Sequence, residues 1–129
     1  MKTKNIGTLG EKLARKYLKN KGYKIIDKNY CFRIPGNPQK GEIDIIAKKK
    51  DIFSFIEVKT IKINSLLKDA SFLPEDKVNY KKRRKIAKTA EYWLIKNKIP
   101  LNSKWQIDII AITICRAEKK IKISHFKNI

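Results

Sequence analysis

The sequence predicts one α/β domain over residues 1–129, in which a mixed β-sheet is flanked by helices. The chain has 129 residues, which is the length of a single domain. Its hydrophobic content of 42% is sufficient for a core in spite of a net charge of +20. Apolar residues recur every three to four positions in the predicted helices and every two positions in the predicted strands. These segments follow one another in the order α-β-β-β-α-β-β, which favours one sheet covered by helices.

The first helix is predicted over residues 8–21. Its apolar positions recur at helical spacing, at Leu9, Leu13 and Tyr17. The segment Thr8-Leu9-Gly10-Glu11 has the pattern of a capping box, which would place the start of the helix there. Gly22 suits the end of the helix because glycine readily adopts the left-handed conformation found after a helix.

Strands are predicted over residues 23–30, 42–47, 52–59, 105–115 and 121–126. Runs of β-branched and aromatic residues bounded by turn residues support these assignments. Residues 33–40 are rich in Pro, Gly and Asn and are expected to form a loop.

A second helix is expected to start at Pro74 or Asn79 and to end near Lys98. Its buried face would consist of Ile86, Ala90, Trp93 and Leu94. The segment 61–78 before it has no clear periodicity and is expected to be irregular.

The charge is unevenly distributed along the chain. Residues 25–60 carry seven basic and five acidic residues, whereas residues 61–100 carry eleven and four. Broad positive charge favours a polyanionic partner such as DNA, because each neutralised phosphate releases counterions. The longest apolar run, residues 109–115, is far shorter than a membrane span, so a membrane protein is not expected.

The cysteines and the chain start favour a cytoplasmic protein. Cys31 and Cys115 form no disulfide framework, and with His125 as the one histidine they cannot complete a zinc site. Residues 1–7 lack the apolar stretch of a secretory signal.

The central segment carries four charged residues on two adjacent predicted strands. Glu57 and Lys59 lie two residues apart and therefore share a face, and Glu42 and Asp44 share a face for the same reason. The turn decides whether the two sets meet. With residues 49–50 as the loop, Glu57 lies opposite Glu42, and with residues 50–51 it lies opposite Asp44. A loop of three residues would separate the sets.

Carboxylates this close repel each other unless a cation neutralises them or one of them keeps a proton. A hard divalent cation such as Mg²⁺ is the simplest compensation, since it takes carboxylate oxygens and keeps several waters. Lys59 could then hold an attacking water or stabilise charge on a phosphate. The alternative is a structural ion pair of Asp44 with Lys59, with Glu57 at the edge of the sheet.

Several motifs together resemble the YraN-like family of small bacterial proteins. They are Gly10-Glu11, Gly22-Tyr23, Asn29-Tyr30, the run from Gly41 to Ala47, the run from Phe55 to Lys59, and Lys82 with Lys85. That family is similar to the PD-(D/E)XK nuclease superfamily, which includes Holliday junction resolvases. This similarity implies a restriction endonuclease-like core, a mixed β-sheet flanked by helices. The resemblance covers about residues 6 to 126. Family members often have Arg where this chain has Ile61 and Gln106.

The resemblance implies a metal-dependent endonuclease that hydrolyses phosphodiester bonds in DNA, selecting structure rather than sequence. Asp44 and Glu57 would bind Mg²⁺ or Mn²⁺, with the Val58 carbonyl as a third ligand. Lys59 would be the catalytic lysine, and Glu11 the helix-borne acid that completes the site.

The basic run on the second helix would contact DNA phosphates. Lys82 and Lys85, with the neighbouring Lys81 and Arg84, would grip the backbone of DNA that is branched or otherwise structured. The relation to resolvases also suggests a homodimer.

Each assignment has a competing structural interpretation. Glu11 could cap the helix instead of joining the site, and Glu42 is expected to be a solvated charge at the strand start. Asp108 is expected to pair with a structural base. The competing functions are a non-catalytic nucleic-acid-binding protein that keeps the nuclease fold and an adaptor in a DNA-processing assembly.

Overall fold

The computed structural model of the chain describes residues 3–33, 35–36, 40–64 and 79–129. Two helices and five strands occupy these ranges: α1 (Thr3–Asn20), β1 (Lys24–Arg33), β2 (Lys40–Lys49), β3 (Ile52–Ile63), α2 (Tyr80–Lys96), β4 (Trp105–Cys115) and β5 (Lys120–Phe126). The predicted α/β class and the predicted order of elements are confirmed. None of the helices in these ranges is long and apolar enough to cross a membrane.

The five strands form one mixed sheet in the order β1-β2-β3-β4-β5. Neighbouring strands are antiparallel, except that β3 and β4 pair in parallel from Phe53↔Trp105 to Ile63↔Cys115. A parallel pair needs a crossover connection, and α2 lies in the segment between β3 and β4.

Each face of the sheet packs against one helix. The α1 face buries Ala14, Leu18, Ile45, Ala47, Ile56, Ile110 and Ile112. The α2 face buries Ile43, Ile46, Phe53, Phe55, Ile86, Ala90, Trp93, Leu94 and Ile107. The predicted buried face of the second helix is therefore confirmed, and Trp93, which is 3% exposed, is a core residue.

Helix α1 starts five residues earlier than predicted. It begins at Thr3, so Thr8 and Glu11 lie inside the helix, and the capping box predicted for them is wrong. The sequence pattern was misleading because a cap needs a non-helical residue at Thr8. The predicted end is confirmed: Gly22 has φ of +92°, and the Tyr23 amide donates to the Leu18 carbonyl at 2.9 Å.

Helix α2 begins after Asn79, which caps it through a hydrogen bond from the Lys82 amide to the side-chain oxygen at 2.9 Å. The helix ends at Lys96, two residues before the predicted end. The expectation that residues 61–78 are irregular is wrong for residues 61–63, which extend β3 because they pair with β4. Residues 65–78 lie outside the described residues.

The loop expected over residues 33–40 is shorter than predicted. Arg33 ends β1 and Lys40 begins β2, and the two residues are paired in the sheet. Residues 34 and 37–39 lie outside the described residues.

Candidate functional site

The hairpin of β2 and β3 adopts one of the two registers that the sequence leaves open. Its turn is formed by Lys50 and Asp51, and the paired register runs from Lys49↔Ile52 to Ile45↔Ile56. One step further along the same register, Asp44 would lie opposite Glu57. The turn therefore selects the arrangement in which these two acids meet.

Regular pairing between β2 and β3 stops just before the two acids. The carboxylate of Asp44 accepts the Val58 backbone amide at 2.8 Å, in the position where a backbone carbonyl of β2 would accept it in a continuous ladder. The side chain of Asp44 thus lies between the strands at the point where they separate.

A change of face in β2 explains this position. Ile43 packs in the α2 core and Ile45 in the α1 core, although residues two apart in a regular strand share a face. The backbone must therefore rotate at Asp44. On β1 the residue across from this point is Asn29, whose φ of +51° lies in the left-handed region that Asn tolerates better than most residues.

The Val58 carbonyl is directed toward the same gap. In a strand, the N–H and C=O of one residue point to the same neighbouring strand, so the Val58 carbonyl faces β2 as its amide does. Residues 57 and 59 direct their backbone groups toward β4, with which they are in register. The gap between β2 and β3 therefore brings together a carboxylate and a backbone carbonyl.

Asp44 and Glu57 interact strongly. Burial is the main cause that raises the pKa of Asp44 to about 7. The hydrogen bond from the Val58 amide opposes the rise, whereas a hydrogen bond with Glu57 and the charges of Glu57 and Glu11 contribute to it. The surroundings of Asp44 therefore favour its protonated form more than water does. The alternative ion pair of Asp44 with Lys59 is not formed.

Glu11 extends from α1 toward the same acids. Its pKa is raised mainly by burial, a rise that Arg15 partly offsets, and the charges of Glu57 and Glu42 raise it further. Glu11 lies inside the helix and so does not cap α1, and its side chain is close enough to Glu57 and Glu42 to be affected by their charges.

Glu57 pairs with a lysine of α2. Its Oε2 lies 2.6 Å from the Nζ of Lys82, and its side chain is 13% exposed, so it is not at a solvated sheet edge. Glu42 differs: its side chain is 56% exposed, and its carboxylate pairs with Lys40 at 3.1 Å, as expected for a solvated charge.

Lys59 follows Glu57 by two residues on the regular part of β3, so the two side chains share a face. It is half-buried, and within the described ranges it forms no ion pair. Its ammonium group is therefore available to a ligand placed beside Glu57.

A cavity of about 350 Å³ opens beside Glu57, between the sheet and the first turns of α2. It is lined by Lys40, Glu42, Glu57, Asn79, Lys81, Lys82, Lys85 and Ile86. Three of the four lysine and arginine residues predicted to contact phosphates line this cavity. The fourth, Arg84, lies with its guanidinium group 5.8 Å from the ring centroid of Tyr80.

The donor set suits Mg²⁺ or Mn²⁺. Two carboxylates and one carbonyl are hard oxygen ligands, and Mg²⁺ is commonly bound by one or two carboxylates while it keeps several waters. In the part of the chain that the structure describes, no three His, Cys, Asp or Glu residues converge as a ready-made metal site. An ion bound here would therefore depend on Asp44, Glu57, the Val58 carbonyl and water.

Two glycines of the motifs have a role that sequence reasoning missed. A Cβ on Gly10 would overlap the hydroxyl of Thr60 on β3, and a Cβ on Gly41 would overlap the hydroxyl of Thr89 on α2. Each glycine lets a helix approach the sheet closely, one position before Glu11 and Glu42. In both motifs the glycine directly precedes a glutamate, and this repeated Gly-Glu sequence was the feature that could have indicated the close approach.

Asp108 belongs to a separate, buried network. It is fully buried and accepts hydrogen bonds from Gln106 and the Asn128 amide, both at 2.9 Å, and its Oδ2 lies 2.8 Å from Nε2 of His125. Nδ1 of His125 lies 3.2 Å from the Tyr17 hydroxyl. The structural role expected for Asp108 is confirmed, and Gln106 supports it.

Comparison with known proteins places these residues in a wider group. The chain matches the family described as "Uncharacterised protein family UPF0102" over residues 10–112. A UPF0102 protein from Alkaliphilus oremlandii is 42% identical over 125 residues, which cover 97% of each chain. One from Clostridioides difficile is 41% identical over 128 residues, 99% of this chain and 98% of the relative. One from Fervidobacterium nodosum is 44% identical over 124 residues, 94% of this chain and 78% of the relative.

Proposed function

The chain belongs to the uncharacterised protein family UPF0102, and we propose that it is a divalent-metal-dependent nuclease that hydrolyses phosphodiester bonds in DNA. The observation that carries this proposal is the meeting of Asp44 and Glu57 at the gap between β2 and β3. Burial and the neighbouring acids oppose the ionised form of Asp44, which a divalent cation would stabilise, and the Val58 carbonyl would add a third oxygen ligand. The substrate would be chosen by shape, because the lysines of the cavity contact phosphates rather than bases.

Each group of the site has a task in this reaction. Asp44, Glu57 and the Val58 carbonyl would hold the ion, and Glu11 would complete the site from α1. A bound Mg²⁺ supplies Lewis acidity that stabilises negative charge on the phosphate under attack. Lys59 orients the attacking water and adds a second positive charge near the phosphate.

The cavity beside Glu57 is suited to the DNA backbone. Four of its lining residues are lysines, and α2 presents the positive end of its dipole there, with no acidic residue in its first turn. These contacts would position a phosphodiester over the acids without reading bases.

The test is cleavage of a panel of DNA substrates, from linear duplexes to four-way junctions, with Mg²⁺ or Mn²⁺. We expect Asp44→Asn, Glu57→Gln and Lys59→Met each to lower the cleavage rate by about 100-fold or more. Glu91→Gln, a change of an exposed acid on α2, is the matched control and should cleave as the unmodified protein does. The proposal would be overturned if Asp44→Asn and Glu57→Gln cleaved DNA as fast as the unmodified protein. It would also be overturned if the unmodified protein bound no divalent ion at millimolar concentration.

A second candidate is a DNA-binding protein of the same fold that does not cleave. The pairing of Glu57 with Lys82 favours it, because this ion pair satisfies one acid without a metal. It predicts DNA binding that Asp44→Asn leaves unchanged with or without divalent ions. The nuclease predicts instead that divalent ions raise the DNA affinity of the unmodified protein and not that of Asp44→Asn.

A further inference from the structure

The ion pair between Lys82 and Glu57 joins two unequal partners. The Glu57 carboxylate extends from a central strand and is 13% exposed, whereas the Lys82 side chain extends from the first turn of α2 and is 51% exposed. Their atoms are 2.6 Å apart. The acid is therefore held in place, and the ammonium group at the end of a long exposed chain can move.

This ammonium group competes with a metal ion for one carboxylate. Mg²⁺ binds a carboxylate oxygen at about 2.1 Å. An ammonium group on the same oxygen would then lie within a few ångströms of a doubly charged ion, and two like charges at that separation repel each other. The Glu57 carboxylate therefore binds each of the two cations less strongly when the other is present.

The Lys82 side chain can move away from Glu57 into the neighbouring cavity. Its backbone stays fixed, because Asn79 caps the helix at the Lys82 amide, so only the side chain must rotate. Exposed side chains rotate in picoseconds to nanoseconds. The cavity of about 350 Å³ on that side has four lysines and two acids in its lining. Of the two acids, Glu42 already pairs with Lys40, and Glu57 would pair with the metal, so the anion that suits the released ammonium group is an incoming phosphate.

We infer that Lys82 is a displaceable counter-ion that pairs with Glu57 in the metal-free protein and moves to a DNA phosphate when a divalent ion binds. The inference rests on the proposed function and adds a mechanism for its regulation. The site would reach its full affinity for DNA only when the metal is bound. The metal-free protein, which cannot cleave, would therefore occupy DNA less. By linkage, DNA and metal each strengthen the binding of the other.

The first test measures DNA affinity for Lys82→Met and for Lys81→Met, with EDTA and with Ca²⁺ as the probe ion. We expect Lys82→Met to weaken binding to a labelled four-way junction about fivefold in Ca²⁺ and less than about twofold in EDTA. Lys81→Met removes one charge from the same cavity without touching Glu57, so it should weaken binding by the same factor in both buffers. Equal losses for Lys82→Met in the two buffers would overturn the inference.

The second test measures Ca²⁺ and Mn²⁺ affinity by calorimetry without DNA. Removal of a competing ammonium group should raise the affinity of Lys82→Met by about fivefold, the upper end of what a partly exposed ion pair contributes. Lys81→Met should show a much smaller increase. Unchanged or weaker metal binding in Lys82→Met would overturn the inference.

The outcomes separate this inference from the proposed function. If the unmodified protein binds no divalent ion, both fail. If it binds the ion and cleaves DNA while Lys82→Met and Lys81→Met behave alike, the nuclease proposal stands and the counter-ion role of Lys82 is excluded.

Discussion

Asp44 is the residue on which the geometry of the site depends most. Its carboxylate takes the Val58 amide that a regular sheet would pair with a backbone carbonyl, and it lies within hydrogen-bond range of Glu57. Both interactions require the backbone rotation at Asp44. In this position, burial and the charges of Glu57 and Glu11 oppose the ionisation of Asp44. A bound cation would make the ionised form more favourable.

The raised pKa of Asp44 predicts how stability depends on pH in EDTA. The group titrates near pH 4 in the unfolded chain and near pH 7 in the folded one, so between these values the folded state binds more protons. Stability should therefore fall as pH rises from about 4 to about 7, relative to Asp44→Asn, in which this contribution is absent. Asn can still accept the Val58 amide, which makes it a conservative replacement.

The measurement is urea unfolding at half-unit steps of pH. The free energy of unfolding of the unmodified protein minus that of Asp44→Asn should decrease from about pH 4 to about pH 7. Above about pH 7 this difference should stay constant. Asp51→Asn, in the exposed turn of the same hairpin, should follow the unmodified protein. A pH-independent difference for Asp44→Asn would contradict the assignment.

At the scale of the elements, the two helices reach the site because glycines let them approach the sheet. Gly10 of α1 lies against Thr60, and Gly41 of β2 lies against Thr89 of α2. The hydroxyl of Thr89 donates to the Lys85 carbonyl at 2.8 Å, so its position is fixed. Neither contact can accept a methyl group without a shift of helix against sheet.

Two glycines of the same helix should respond to alanine in opposite directions. Gly10→Ala should lower the free energy of unfolding by about 1–3 kcal/mol, because the methyl group overpacks against Thr60. Gly7→Ala should raise it by about 0.5–1 kcal/mol, because a Cβ there has no neighbour within 4 Å and alanine favours the helix. Chemical denaturation checks both, and equal effects would mean that α1 packs differently.

Gly41→Ala should weaken divalent-ion binding as well as stability. The methyl group would displace Thr89 and hence α2 from β2, next to the strand segment that carries Asp44. We expect a loss of about 1–3 kcal/mol in unfolding free energy. The combination with Thr89→Ala, which removes the obstructing hydroxyl, should recover part of both losses. If the double variant recovers neither stability nor divalent-ion binding, the contact between residue 41 and Thr89 does not cause the losses in Gly41→Ala.

At the scale of the whole molecule, the net charge of +20 includes a group of lysines beside the acids of the sheet. The acids meet at the gap between β2 and β3, and lysines from β2 and α2 line the cavity beside them. The acids therefore lie beside a cavity in whose lining lysines outnumber acids. The homodimer and the cytoplasmic location suggested by the sequence stay predictions.

This arrangement predicts strongly salt-dependent DNA binding. If the cavity lysines contact phosphates, the logarithm of the binding constant should fall linearly with the logarithm of salt concentration. Lys81→Met should reduce that slope by about one, whereas Lys120→Met, on the edge strand β5, should leave it unchanged. Fluorescence anisotropy over a salt series gives the slope. Affinity that is insensitive to salt would instead support an adaptor that acts through protein partners.

The sequence by itself determined the fold class, the order of the elements and the buried face of α2. These features follow from the spacing of apolar residues and from turn chemistry, which act over a few neighbouring positions. The sequence also limited the hairpin to two registers that bring the acids onto one face. It misjudged the start of α1, because a Thr-x-x-Glu pattern resembles a cap even where the helix continues through it.

Only the tertiary structure decided the features that give the site its chemistry. The turn at Lys50 and Asp51 selected the register, and the separation of β2 from β3 let Asp44 take the Val58 amide. The contact of Lys82 with Glu57 and the placement of Glu11 beside the acids join residues that are far apart in the chain. Such contacts depend on how closely helices pack on the sheet, which is set by the fit of whole surfaces and not by local spacing.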